Sequence, residues 1–199
     1  MSTLTAIRDD YIFRFRPRAR AEAAHFALGS PVERVRKAAL ARTASNRKHK
    51  HQWRIPPAVL EKFAARLITQ LGEIARARSF AHLLAIVDAA NLKGVSKLTV
   101  YDTAVRIGAG QRIEPDEVYL HADTRKGAAR LGWNVRRPSI PLSEIPPALA
   151  GLSASEIEDL LCSYAGYFGP GAKKFLPTGC GGESPPGCEP ERSRHEGCP

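Results

Sequence analysis

The sequence reads as a mainly α-helical protein, and three observations say so. Apolar residues recur at three- and four-residue steps, Ser and Pro stand where helices would begin, and strand-like alternation is confined to two short stretches. The first is Tyr11-Ile12-Phe13-Arg14-Phe15-Arg16, where aromatic and apolar residues alternate with Arg and predict a short edge strand with solvated cations. Next, Pro56 and Pro57 suit a first helical turn, where a missing amide hydrogen costs nothing. Val59, Leu60, Phe63, Leu67, Leu71 and Ile74 then form one apolar stripe. Ser79 caps a following helix with Leu83, Leu84, Ile86 and Val87 on its apolar face, ending at Asn91 or Gly94. Ser96 opens another, bearing Leu98, Tyr101 and Val105 and ending by Gly110. Val118–Leu120 is a short strand or an extended loop. Ser153 and Glu156 form a capping box, and Ile157, Leu160, Leu161 and Tyr164 make the buried stripe of the last helix.

Composition bounds what such a chain does. Of 199 residues, 43% are hydrophobic and 25% charged, as in ordinary globular proteins. The formal charge is +10 and the pI about 9.8, which favours a polyanionic partner. The cations are concentrated at the front: Arg8 to Arg54 holds 13 Lys or Arg against 4 acids, Ile55 to Leu176 only 15 against 12. The charge-free run Ser79–Val87 is nine residues, far short of the roughly 20 that cross a bilayer. The N-terminus lacks the apolar stretch of a secretion signal. A cytoplasmic protein without membrane contact is therefore expected. Cys162 falls in a helical pattern, and Cys180, Cys188 and Cys198 in the last twenty residues, so no disulfide framework is expected for the core. Residues 177–199, with five Pro, five Gly and no Val, Ile, Leu or aromatic residue, are expected to be disordered. The organisation read from this is a basic N-terminal region over 1–54, partly ordered as a short strand or helices, a helical domain over 55–170, and the tail.

The most informative stretch is Leu83 to Ala109. Two helices are joined by Leu92-Lys93-Gly94-Val95-Ser96-Lys97, a tight turn in which Val95 can plug between them. This resembles the helix-hairpin-helix motif of DNA-binding proteins, here spanning 82–109, in which the turn offers backbone amides at a helix N-terminus to a phosphate. Ser96 replaces the second Gly of that motif. Gly94-Val95-Ser96-Lys97-Leu98-Thr99 is also similar to the hairpin of the endonuclease III type of DNA glycosylases. That resemblance makes Asp123, in Asp123-Thr124-Arg125, the counterpart of the family's catalytic carboxylate. Leu98 stands where lyase-competent members carry Lys, so it implies base excision without lyase activity. The terminal cysteines do not follow the family's iron–sulfur spacing. Val100-Tyr101-Asp102-Thr103-Ala104 and Tyr119-Leu120-His121-Ala122 resemble an uncharacterised group of bacterial proteins, which implies no activity.

A second basic feature is Asn46-Arg47-Lys48-His49-Lys50-His51-Gln52-Trp53-Arg54, where cations can neutralise phosphates and an indole can stack on an unpaired base. The alternative is a solvated basic loop with Trp53 packed on the body. The predicted nucleic-acid contacts are thus Lys93, Gly94, Ser96 and Lys97, the segment residues Arg47, Lys48, Lys50, Trp53 and Arg54, and Arg125 and Lys126. His121 and Asp123, two apart, would share a face of an extended segment and could act as an acid–base pair; a polar loop is the alternative. Asp102 and Arg106, at i and i+4, read as a helix-surface ion pair. Cys180, Cys188, His195 and Cys198 follow no zinc-ligand spacing. Neither a metal nor a cofactor is expected. The functional expectation is a DNA-binding protein of repair or of defence against foreign DNA. A glycosylase-like enzyme using Asp123 and a non-catalytic module meeting RNA or an acidic protein are the alternatives.

Overall fold

The computed structural model describes residues 3–175. The tail expected to be disordered, with Cys180, Cys188, His195 and Cys198, lies outside them. The protein is mainly helical: α1 (Thr3–Arg14), α2 (Arg16–Ala27), α3 (Pro31–Leu40), α4 (Pro57–Thr69), α5 (Leu71–Arg76), α6 (Phe80–Ala89), α7 (Lys97–Ala109), strand β1 (Glu117–Tyr119), α8 (Ala122–Arg130), strand β2 (Ser139–Pro141) and α9 (Ala154–Ser163). Among the described residues, the chain groups into two units, one running from Arg14 to Glu117, the other formed by residues up to Phe13 together with those from Val118 on. The boundary expected at 54/55 falls inside the first of these.

The Arg14–Glu117 unit is built from α2 to α7, with α3 packed on α4, α6 on α7, and α7 also against α2 and α3. Its core includes Phe26, Val35, Leu60, Phe63, Leu67, Phe80, Leu83, Val87, Val100 and Ala104. Ser30 caps α3 through a capping box with Glu33, whose carboxyl is held below its ordinary range by the hydrogen bonds from Ser30. The stripe from Val59 to Ile74 is not one helix. The chain breaks at Gln70 (φ −101, ψ 14), so that Leu67 and Ile74 are both buried from separate helices.

In the other unit, α8 packs on α9, and β1 pairs with β2 in a two-stranded sheet. The edge strand expected at Tyr11–Arg16 is instead the end of α1 and the start of α2. Burial decides this: Ile7 and Tyr11, four apart, are fully buried, while Phe13 is 73% exposed. The Tyr11 hydroxyl donates to Asp159 (3.1 Å), and Tyr164 donates to buried Asp10 (2.5 Å). The Ser153–Glu156 capping box at the start of α9 forms as its sequence spacing predicts. Close approach of α8 to α9 needs Gly127, because a Cβ there would stand 2.2 Å from the Leu161 carbonyl oxygen. Gly127→Ala should therefore lower stability by about 1–3 kcal/mol despite its better helix propensity. An unchanged urea midpoint would refute the close contact.

Candidate nucleic-acid interface

The hairpin forms where the sequence places it. Helices α6 and α7 pack together, with the Phe80 and Tyr101 rings edge to face at 5.6 Å. Val95 is buried under the turn, whereas Lys93, Gly94, Ser96 and Lys97 are exposed. Gly94 adopts φ +98, a left-handed conformation that an L side chain rarely tolerates. Ser96, in extended geometry, caps α7 by accepting from the Thr99 amide (3.1 Å). Among the described residues, the amides of Gly94, Ser96 and Lys97 donate to no protein acceptor. They lie at the positive end of the α7 dipole. A Cβ on Gly94 would meet the Val59 side chain at 3.5 Å, so the turn rests against the first turn of α4. One acid is close: Asp88 grips the Lys97 ammonium with both oxygens (2.7 and 2.8 Å).

The basic segment leads into that same helix α4. Residues 42 to 48 close a turn, with Thr43 N donating to Arg47 O (2.9 Å), Arg42 bridged to Lys48, and Asn46 left-handed at φ +58. Lys50 to Gln52 form a single 3-10 turn. Trp53 is 71% exposed, so the indole is not packed on the body. Arg47 and Arg54 are exposed too. Lys48 differs from its expected role. Its ammonium donates to the carbonyls of Ile55 (2.7 Å) and Trp53 (3.3 Å), bracing the loop.

Beneath this loop lies a group of polar side chains that sequence spacing did not reveal. Asp102 and Arg106 are not a helix-surface pair. Arg106 is 6% exposed, its guanidinium lying 5.3 Å from the Phe26 ring centre, and the Asp102 side chain is mostly covered. Asp102 accepts from Gln52 Nε2 (2.7 Å) and pairs with His51 Nδ1 (3.2 Å), with Arg106 Nη2 at 3.9 Å. Gln52, fully buried, also accepts from Arg106 through Oε1 (3.3 Å). Burial pushes the Asp102 carboxyl up, but the His51 hydrogen bond and the Arg106 charge outweigh it and hold the group below its ordinary value. The ring of His49 lies 5.0 Å from that of His51, and its Nε2 is 3.7 Å from the Glu22 carboxylate. Nothing short of the fold joins α2, residues 49–52 and α7, so an i, i+4 pattern alone could not disclose the group.

The residues expected to act with Asp123 are arranged otherwise. Asp123 sits in the first turn of α8, exposed, in a 2.7 Å ion pair with Lys126 that holds the lysine above its ordinary range. His121 precedes Ala122 at the N-cap, so the two are not neighbours on an extended segment. Arg125 is committed internally: its guanidinium donates to the carbonyls of Val135, Arg137 (3.2 Å) and Leu120 (2.9 Å), tying β1 to the loop before β2. These residues belong to the unit that does not contain the hairpin.

Comparison with protein-family models, with curated proteins and with solved structures finds no match. No helix among the described residues is long and apolar enough to cross a membrane.

The Asp102 group carries a pH signature. Because its folded-state value is depressed, its stabilisation is present above the ordinary aspartate range near pH 4 and is lost as pH falls through the folded value. Asp102→Asn should cost about 1–3 kcal/mol at neutral pH, since Arg106 loses its counter-charge. The variant's stability should then vary less with pH below about 4 than the wild type's. Parallel acid-unfolding profiles would contradict this.

Proposed function

We propose that the protein binds DNA with little sequence preference, using the Lys93–Lys97 turn and the exposed residues of the adjoining basic segment. The supporting observation is the turn itself, solvent-exposed, with the amides of Gly94, Ser96 and Lys97 undonated at a helix N-terminus. Anions are stabilised at such an end by both the N–H groups and the dipole. Arg47 and Arg54 add cations on the segment leading into α4, the helix on which the turn rests. Trp53 offers a stacking face for an unpaired base, worth about 1–3 kcal/mol. Amides and ammonium groups read phosphate rather than base edges, so specificity would be low. A role in repair or in defence against foreign DNA is compatible with such binding.

Fluorescence anisotropy tests the proposal. With about four or five phosphates neutralised, the logarithm of affinity should fall with log salt at a slope of roughly −4 to −5. Replacing Lys93 and Lys97 together with Ala should reduce that slope by roughly 2, while Trp53→Ala weakens single-stranded more than duplex binding. A slope near zero, or one unmoved by the lysine substitutions, would end it. Stronger retention on RNA than on DNA at matched salt would favour an RNA partner instead.

A further inference from the structure

We infer that His49, His51 and Asp102 form a binding site for a divalent transition-metal ion of the zinc or cobalt type. Each offers one ligand atom, and the three atoms lie within 4.8 Å of one another. The separation of His51 Nδ1 from Asp102 Oδ2, 3.2 Å, is that of neighbouring ligands on a tetrahedral ion, about 3.3 Å for bonds of about 2.0 Å. The donors, two imidazoles and one carboxylate, are those borderline ions select, and three protein ligands leave a fourth position for water.

The surroundings of the donors are those of a prepared site. Glu22, 3.7 Å from His49 Nε2, favours the proton on that nitrogen, and Nδ1, which accepts a long 3.5 Å hydrogen bond from the His51 amide, would exchange that contact for the ion. Gln52 Nε2 orients the Asp102 carboxylate at 2.7 Å. The backbone is fixed as well, with His49 N donating to Ala41 O (2.9 Å) and Gln52 N to His49 O (3.0 Å). Taking up the ion needs one proton to move. From the neutral tautomer protonated at Nδ1, the proton that His51 shares with Asp102 passes through solvent to Nε2 and the metal takes Nδ1, so no net proton is released. Arg106 is the opposing term, a cation 3.9 Å from the same carboxylate oxygen. Its guanidinium also rests on Gln52 Oε1 and the Phe26 ring, so it need not leave for an ion to enter. Two carboxylates and one guanidinium leave a net negative site, which favours a cation.

Isothermal titration of the full-length protein with Zn²⁺ and Co²⁺ tests the site. The expected result is one ion per chain, with a visible Co²⁺ spectrum of four-coordinate type and no near-ultraviolet thiolate band. His51→Ala should abolish binding, and His49→Gln should weaken it at least tenfold. Circular dichroism of both variants checks that the helices persist, and His49→Gln, altering a partly exposed side chain, keeps the test open if His51→Ala fails to fold. Absence of stoichiometric binding overturns the inference. So does a Co²⁺ spectrum with thiolate bands, or binding that survives both substitutions.

Discussion

The Arg14–Glu117 unit depends on a buried guanidinium. Removing an arginine from water costs several kcal/mol unless charge and hydrogen bonds replace the solvent. Arg106 meets that demand in part with the Asp102 carboxylate, the Gln52 amide and the face of Phe26, contributed by α7 itself, by residues 49–52 and by α2, while its Nη1 has no hydrogen-bond partner among the described residues. Pieces distant in sequence are thereby fixed to one another. The 3-10 turn at Lys50–Gln52 has no helix of its own length to stabilise it; the polar side chains beneath it, together with backbone bonds to Ala41 and His49, set its position.

The hairpin obeys a separate constraint. Its geometry is local: a left-handed Gly94, a buried Val95 and a capping Ser96 suffice to stop α6 and start α7. Ser96 sits at φ −80 in extended geometry, where no glycine is required, so the turn accommodates a serine after Val95 without distortion. The serine also satisfies one amide while leaving those at the tip undonated.

Local devices were therefore legible in the sequence, and long-range ones were not. The caps at Ser79, Ser96 and Ser153 and the turn at Gly94 each need only a few neighbouring residues, and each stands as its spacing implies. The Ser30-Pro31-Val32-Glu33 box carries the same signal and could have been found. Alternation at Tyr11–Arg16 misled, because a period of two in a short aromatic–arginine run says nothing about which residues the rest of the chain will cover. Here Ile7 and Tyr11 are covered, and their spacing is helical. Arg125 and Lys48 looked like free cations for the same reason: the carbonyls they bind are brought to them only by the fold.

His51 and Trp53 are two residues apart, and the Lys48 ammonium holds the carbonyls of Trp53 and Ile55, so the polar cluster and the basic face share a single stretch of backbone. Ordering a loop at the moment of binding subtracts from affinity, by about 0.5–1.5 kcal/mol for each immobilised side chain. An ion held by His49, His51 and Asp102 would add to the bonds that already hold that stretch, lowering the remaining ordering cost of contacts made by Trp53 and Arg54 while leaving the Gly94 turn, which is fixed by its own local geometry, unaffected. Coupling of this kind acts through loop entropy rather than through displacement, and it would strengthen stacking on Trp53 more than phosphate contact at the hairpin.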